Sequence, residues 1–202
     1  MQSAGILFEG MAGHLSHVFE VVGLVGSLRR GSINRALMRA AIESAPGNLR
    51  ITPREIGALP LYNADLDKEV VPSVVAEIRE AVRRSDGLLV ATPEYNHGVP
   101  GVLKNAIDWL SRPYGDSALD GKVAAVIGAS PGLTGTVRSQ VQLRQVFAST
   151  NTHVLLSPEV LVAHAHEKFD ANGQLTDTKT RELLRALLER YVAHLAQLEH
   201  VA

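Results

Sequence analysis

The feature that most constrains this chain is an alternation that begins at Phe19. Short aliphatic runs, the strongest at residues 19–25, 87–92 and 122–128, take turns with longer amphipathic segments, and each strong run gives way to a loop rich in Gly, Pro, Ser and Thr. A run that is apolar at nearly every position suits a strand buried on both faces. Strands of that kind alternating with helices build a parallel sheet covered on both sides. The spacing predicts a doubly wound α/β fold.

The weaker segments fill in around this frame. Residues 32–45 place Leu37, Ala40 and Ala41 on one helical face, with Ile33 a turn earlier, and stop at Pro46-Gly47. Residues 49–56 read as an outer strand, because Pro53 would interrupt a central ladder. A polar connection at 59–69 leads to a helix over 72–84. A second helix follows over 99–112, with Leu103, Ile107 and Leu110 inward and Lys104 and Asp108 paired outside. A helix is expected over 135–150, then a strand across 153–161 broken at Pro158, then a final helix over 177–200. The stripe of Leu183, Leu184, Leu187, Leu188, Tyr191, Leu195 and Leu198 on that helix reads as core packing, with Glu182, Glu189 and Glu199 outside. Residues 18–202 are expected to form a single domain. Residues 1–17 show no clean period and read as an extension without function, with Met11 a second possible start.

Composition removes several classes of chemistry. There is no cysteine, so thiolate nucleophiles, thiolate zinc sites and iron–sulfur ligation are excluded, and any redox chemistry must belong to a bound cofactor. A formal net charge of -1 gives no reason to expect nucleic acid or an anionic membrane surface as partner. No apolar run is long enough to insert in a bilayer, and a cytoplasmic location is expected.

In an open α/β sheet, ligands collect beyond the carboxyl ends of the strands. The first loop there is Gly26-Ser27-Leu28-Arg29-Arg30-Gly31-Ser32-Ile33-Asn34, which offers hydroxyl and amide donors and two arginines at a helix start, an arrangement that favours an anion. Gly26 and Gly31 match the first half of a P-loop, yet Ser32 and Ile33 stand where its Lys and Ser/Thr belong. The dinucleotide fingerprint fails as well, since the glycines fall at Gly23, Gly26 and Gly31. A terminal monophosphate held by side chains fits better. The plainer alternative is that Ser32 or Asn34 merely caps the helix, but a cap needs one such residue and this loop supplies several.

The second loop, Thr92-Pro93-Glu94-Tyr95-Asn96-His97-Gly98-Val99-Pro100-Gly101, is stiffened by two prolines, and its glycines let a planar ligand approach the backbone. Four consecutive polar residues there suit the donor and acceptor rim of an isoalloxazine. No Ser or Cys elbow accompanies His97 and Glu94, which argues against a hydrolase. The third loop, from Gly128 to Thr136, lies on the same rim and can line the other edge of such a ring. His164 and His166 share one side of an extended segment, but with no third ligand nearby they read as solvated, and no metal is assigned.

Taken together, Gly26-Ser27-Leu28-Arg29 with Ser32 and Asn34, Leu59-Pro60-Leu61-Tyr62-Asn63, the run from Thr92 to Trp109, and Gly128, Ser130, Gly132, Gly135, Thr136, Arg138 and Gln140 resemble the NADPH-dependent FMN reductase family. The resemblance covers the chain from Phe19 onward. It implies a flavodoxin-like three-layer αβα sandwich with a five-stranded parallel sheet in the order 2-1-3-4-5. It further implies FMN as cofactor and NADPH or NADH as co-substrate, with quinones, azo dyes, chromate or free flavin as acceptors. In its terms Ser27, Arg29, Ser32 and Asn34 hold the FMN phosphate, Pro93, Glu94, Tyr95 and Asn96 border the isoalloxazine, His97 and Gly98 complete that turn, and Ser130 and Gly132 flank the other side. It also implies a homodimer or homotetramer, with Trp109 and its helix placed to build the interface.

Hydride enters and leaves at flavin N5, so no protein acid, base or nucleophile is required, and ping-pong kinetics are expected. Two other functions stand beside this one. A flavodoxin-like electron carrier would be expected to be strongly acidic, and this chain is nearly neutral. A phosphate-loop enzyme acting on nucleotides would want the missing Lys and magnesium hydroxyl.

Overall fold

The computed structural model describes residues 17–199, so nearly all of the expected N-terminal extension lies outside the described residues. The chain runs β1 (Phe19–Val25), α1 (Ile33–Glu43), β2 (Leu49–Arg54), α2 (Ala64–Glu69), α3 (Ser73–Arg84), β3 (Gly87–Ala91), α4 (Gly101–Leu110), β4 (Val123–Ala129), α5 (Val137–Ser149), β5 (His153–Val154), β6 (Val160–Val162) and α6 (Thr178–Glu199). Every strand pairing is parallel, and the order across the sheet is β2-β1-β3-β4-β5, with β6 also on β4. The fifth position is thus shared by two short strands. β5 pairs with the start of β4 and β6 with its end, and Ser157 and Pro158 lie in the interruption.

Period-two burial on both faces explains why the central strands read as unbroken apolar runs. Val21, Leu89, Ala91, Ala125 and Ile127 pack toward α1 and α6 in one core. Val22, Leu24, Leu88, Val90, Ala124 and Val126 pack toward α3, α4 and α5 in the other. Because β1 lies between β2 and β3, the winding reverses there, and the carboxyl ends of β1 and β3 open on one crevice. Pro53 sits in the edge strand β2, where its missing N–H costs the sheet nothing on the open side.

Three details depart from the expectations above. The connection at 59–69 contains a short helix, α2, capped by the Asn63 side chain, which accepts from the Asp65 N–H at 2.9 Å. None of its residues is buried, and Asp67 ties it to the fold through Arg79 at 2.8 Å. Trp109 is fully buried within the chain's own core, its ring beneath the Arg79 guanidinium and edge-on to Tyr62, so it is not available as an interface residue. Leu183 is among the exposed large hydrophobics, whereas Leu184, Leu187, Leu188, Tyr191 and Leu195 form the buried stripe of α6. The Lys104–Asp108 pair is present on the outer face of α4 at 2.6 Å.

Candidate functional site

Three loops meet beyond the carboxyl ends of β1, β3 and β4. Ser27, Arg29, Ser32 and Asn34 from the first, Pro93, Glu94 and Tyr95 from the second, and Ser130 from the third line a single cleft. The first two loops can approach closely because residue 26 has no side chain: a Cβ there would come within 3.1 Å of the Pro93 and Leu103 side chains. Asn96, His97, Gly98 and Gly132 stand outside the lining of this cleft.

In the first loop, Ser27 and Ser32 are buried. The Ser32 oxygen caps α1, accepting from the Arg35 N–H at 3.2 Å, which leaves its own hydroxyl hydrogen free to donate. Capping and anion binding are therefore compatible at this residue. The Tyr95 hydroxyl donates to the Ser27 oxygen over 3.4 Å, linking the first and second loops. Among the described residues, no protein acceptor meets the backbone N–H groups of residues 28–32. Arg29 is exposed and forms no ion pair with any described residue. Free N–H groups, two hydroxyls and a guanidinium make a donor set suited to a phosphate monoester.

Asn34 reaches the cleft wall, but its amide is committed elsewhere. Nδ2 donates to the Ala129 carbonyl and Oδ1 accepts from the Ala129 N–H, both at 2.9 Å. This residue braces the start of α1 against the end of β4.

The second loop is held in shape from below. The Glu94 carboxylate, whose side chain is 8% exposed, accepts from the N–H groups of Arg138 at 2.9 Å and Ser139 at 3.3 Å, with the Arg138 guanidinium at 3.2 Å. It therefore caps α5 from a distant loop, where the helix dipole favours a negative charge. Tyr95 and Gly98 exchange two backbone bonds at 3.2 and 3.0 Å, closing a two-residue turn. Its central residues, Asn96 at φ 49° and His97 at φ 62°, both lie in the left-handed region, as in a type I′ turn. Gln142 grips the far side of this turn, accepting from the Val99 N–H at 3.0 Å and donating to the His97 carbonyl at 3.4 Å. Asn96 and His97 are exposed at the rim.

In the third loop the Ser130 oxygen accepts from the Gly132 N–H at 3.1 Å. The loop is anchored to the segment after β6, where Ala165 N–H donates to the Ser130 carbonyl at 3.0 Å and His164 N–H to the Gly132 carbonyl at 3.1 Å. His164 takes a left-handed conformation at φ 47° in making this contact. Among the described residues no group of three or more His, Asp or Glu side chains gathers as a metal site.

The cleft thus has a donor-rich end at α1, a rigid wall at residues 93–95, and no side chain arranged as a nucleophile with its base. The description of the NADPH-dependent FMN reductase family matches residues 19–167. The chain belongs to that family. An NAD(P)H-dependent FMN reductase of Pseudomonas aeruginosa is 45% identical over 175 residues, spanning 87% of this chain and 94% of that protein. A 2-hydroxy-1,4-benzoquinone reductase of a Burkholderia species is 41% identical over 174 residues, 86% of this chain and 94% of that protein. Among solved structures, a flavoenzyme NAD(P)H:(acceptor) oxidoreductase of Paracoccus denitrificans superposes with a TM-score of 0.83 at 38% identity, covering 89% of this chain and 98% of that one. The NADPH-dependent FMN reductase fold is flavodoxin-like in this chain too, and the protein is an FMN-using, NAD(P)H-dependent oxidoreductase. No helix among the described residues is long and apolar enough to cross a membrane.

Two residues whose role was not legible in the sequence shape this FMN reductase site, and a third, Asn105, braces the 60–62 segment outside the cleft lining. Arg138 and Gln142 project from α5 to the second loop, and their spacing of four residues puts them on one helical face. Asn105 on α4 accepts from the Tyr62 N–H and donates to the Pro60 carbonyl, each at 2.8 Å, and the Trp109 indole N–H donates to that same carbonyl. The available signal was a polar residue on the inner face of an otherwise apolar helix.

Proposed function

We propose that this chain carries electrons from NAD(P)H to quinones in two successive half-reactions, the oxidised nicotinamide leaving before the quinone enters. The observation that carries this reading is the convergence of Ser27, Arg29 and Ser32 on one end of a cleft whose other wall is the stiff run at residues 93–95. Bound FMN supplies the hydride chemistry at its N5 atom.

The protein's contribution is placement. Ser27, Arg29, Ser32 and the free N–H groups of residues 28–32 hold the phosphate. Pro93, Glu94, Tyr95 and Asn96 border the ring through their backbone and the Tyr95 side chain, His97 and Gly98 complete the turn, and Ser130 and Gly132 close the opposite edge. Asn34 and Glu94 fix the loops from behind, through Ala129 and α5. N–H groups beside the ring stabilise negative charge that develops as it is reduced. Because the same ring face must serve both nicotinamide and quinone, the two cannot be held together. Azo dyes, chromate and free flavin would be further acceptors for an open ring face. Residues 18–202 act as a single domain that assembles as a homodimer or homotetramer in the cytoplasm.

Initial rates with NADPH and benzoquinone test this. Parallel double-reciprocal lines are expected, and intersecting lines would overturn the two-step order. A yellow, FMN-loaded protein without turnover on either nicotinamide would instead make it an electron carrier.

A further inference from the structure

A second cleft lies beside the one assigned above, on the far side of Ser32 and Ile33, with a volume of about 450 Å³. It is bounded by the first turns of α1 on one side. On the other lies the turn closed by the Phe169–Leu175 bridge.

Its chemistry is two-part. Ile33 and Phe169 are partly buried and give an apolar floor with one aromatic face. Arg30 and Arg39 supply the cationic wall. Arg30 is exposed and pairs with no acid among the described residues, while the Arg39 guanidinium donates only to the Gly173 carbonyl at 3.3 Å. The one carboxylate in the lining, Asp170, has an oxygen turned into its own turn, where it accepts from the N–H groups of Asn172 at 2.9 Å and Gln174 at 2.8 Å. Two guanidiniums against one inward-turned carboxylate leave the wall net positive. An aromatic residue in a cleft lined by two guanidiniums suits a flat heterocycle carrying a phosphate monoester.

The cleft adjoins the proposed FMN site, with Ser32 and Ile33 between the two. Ser32 and Ile33 line both, and Ala165 of this cleft donates its N–H to Ser130 of the other. A ligand lying here and reaching the flavin ring must be long. Of the two nicotinamide nucleotides, NADPH alone carries a phosphate monoester on the adenosine remote from its reacting carbon. We infer that this cleft seats the 2′-phosphoadenosine end of NADPH, with Arg30 and Arg39 on the 2′-phosphate and Phe169 against the adenine. The inference rests on the NAD(P)H reading above and assigns a preference for NADPH over NADH.

The test uses the FMN-loaded enzyme and two probes, adenosine 2′-monophosphate and adenosine 5′-monophosphate, titrated by calorimetry. The 2′-isomer should bind roughly ten-fold tighter or better, and Arg39→Ala should remove that advantage. In steady state Arg39→Ala should raise the KM for NADPH roughly ten-fold relative to that for NADH. Ala171→Glu, a change at an exposed lining position, should do the same by repulsion. Equal binding of the two isomers, or KM values for NADPH and NADH that move together, would overturn the assignment. Absence of nicotinamide oxidation by the unaltered enzyme would defeat the parent reading, and the calorimetric comparison would still decide the cleft.

Discussion

The side-chain amide of Asn34 pairs with the backbone of Ala129 in both directions, donating to its carbonyl and accepting from its N–H at 2.9 Å each. The contact is buried and joins the first turn of α1 to the last residue of β4, so it sets the separation of the first and third loops. Asn34→Ala strands two buried backbone groups at about 1–3 kcal/mol each. Urea unfolding of the apoprotein should therefore show a loss of about 2–6 kcal/mol. FMN affinity should fall as well, because the phosphate loop loses its anchor. A variant with unchanged unfolding midpoint would show that the pair does no structural service.

Arg29 is exposed in the cleft with no acidic partner among the described residues, so its charge is available to a ligand. Arg29→Ala should weaken FMN binding by about 1.5–3 kcal/mol, the worth of a charge-assisted hydrogen bond. Riboflavin lacks the phosphate, and its affinity should stay where it was. Fluorescence titration with both flavins checks this, and equal losses for the two would move Arg29 from the phosphate to the ring.

The parts of the fold that were legible in the sequence are those that burial dictates locally. Gly87–Ala91 is buried at every position, so it could only be apolar throughout, and Pro53 marked its strand as an edge. Helix α2 was not legible because it buries no residue and is held by Asp67 on Arg79, a contact that leaves no periodic trace. Trp109 misled for a related reason: a large aromatic on an amphipathic helix reads the same whether it faces its own core or a partner. At the site, the loops were legible from Gly, Pro and donor content. The directions of Asn34 and Glu94 were not, since each bonds to backbone 95 and 44 residues away respectively.

Asp177 precedes α6, and one of its oxygens accepts from both the N–H and the hydroxyl of Thr180, at 2.8 and 2.5 Å. These bonds hold its carboxyl below the usual carboxylate range, with Lys168 and Lys179 adding to the effect. Between the folded and unfolded values the unfolded chain binds more protons, so stability rises with pH there and is lost as pH falls through the folded value. Asp177→Ala should cost about 0.5–2 kcal/mol near neutrality, as for other lost helix caps. The gap between wild type and variant should close as the pH is lowered below roughly 4. Urea midpoints measured at pH 6 and pH 3 decide it, and a gap of constant size would mean that the carboxylate charge is not what stabilises α6.

Glu94 lines the cleft but directs its carboxylate at the first turn of α5, so it is expected to position the second loop rather than touch the ring. Glu94→Ala removes the acceptor for two helix N–H groups and should cost the apoprotein about 1–2 kcal/mol. Glu94→Gln keeps an oxygen for the Arg138 N–H and gives up only the charge, so it should recover much of that loss. The bound flavin's absorption fine structure should follow the same order, blurred in the Ala variant and near normal in the Gln variant, because the loop is released in one and retained in the other. A carboxylate acting on the ring itself would give the opposite pattern. Both variants would then shift the flavin spectrum alike, and the melting temperature of the apoprotein would not move.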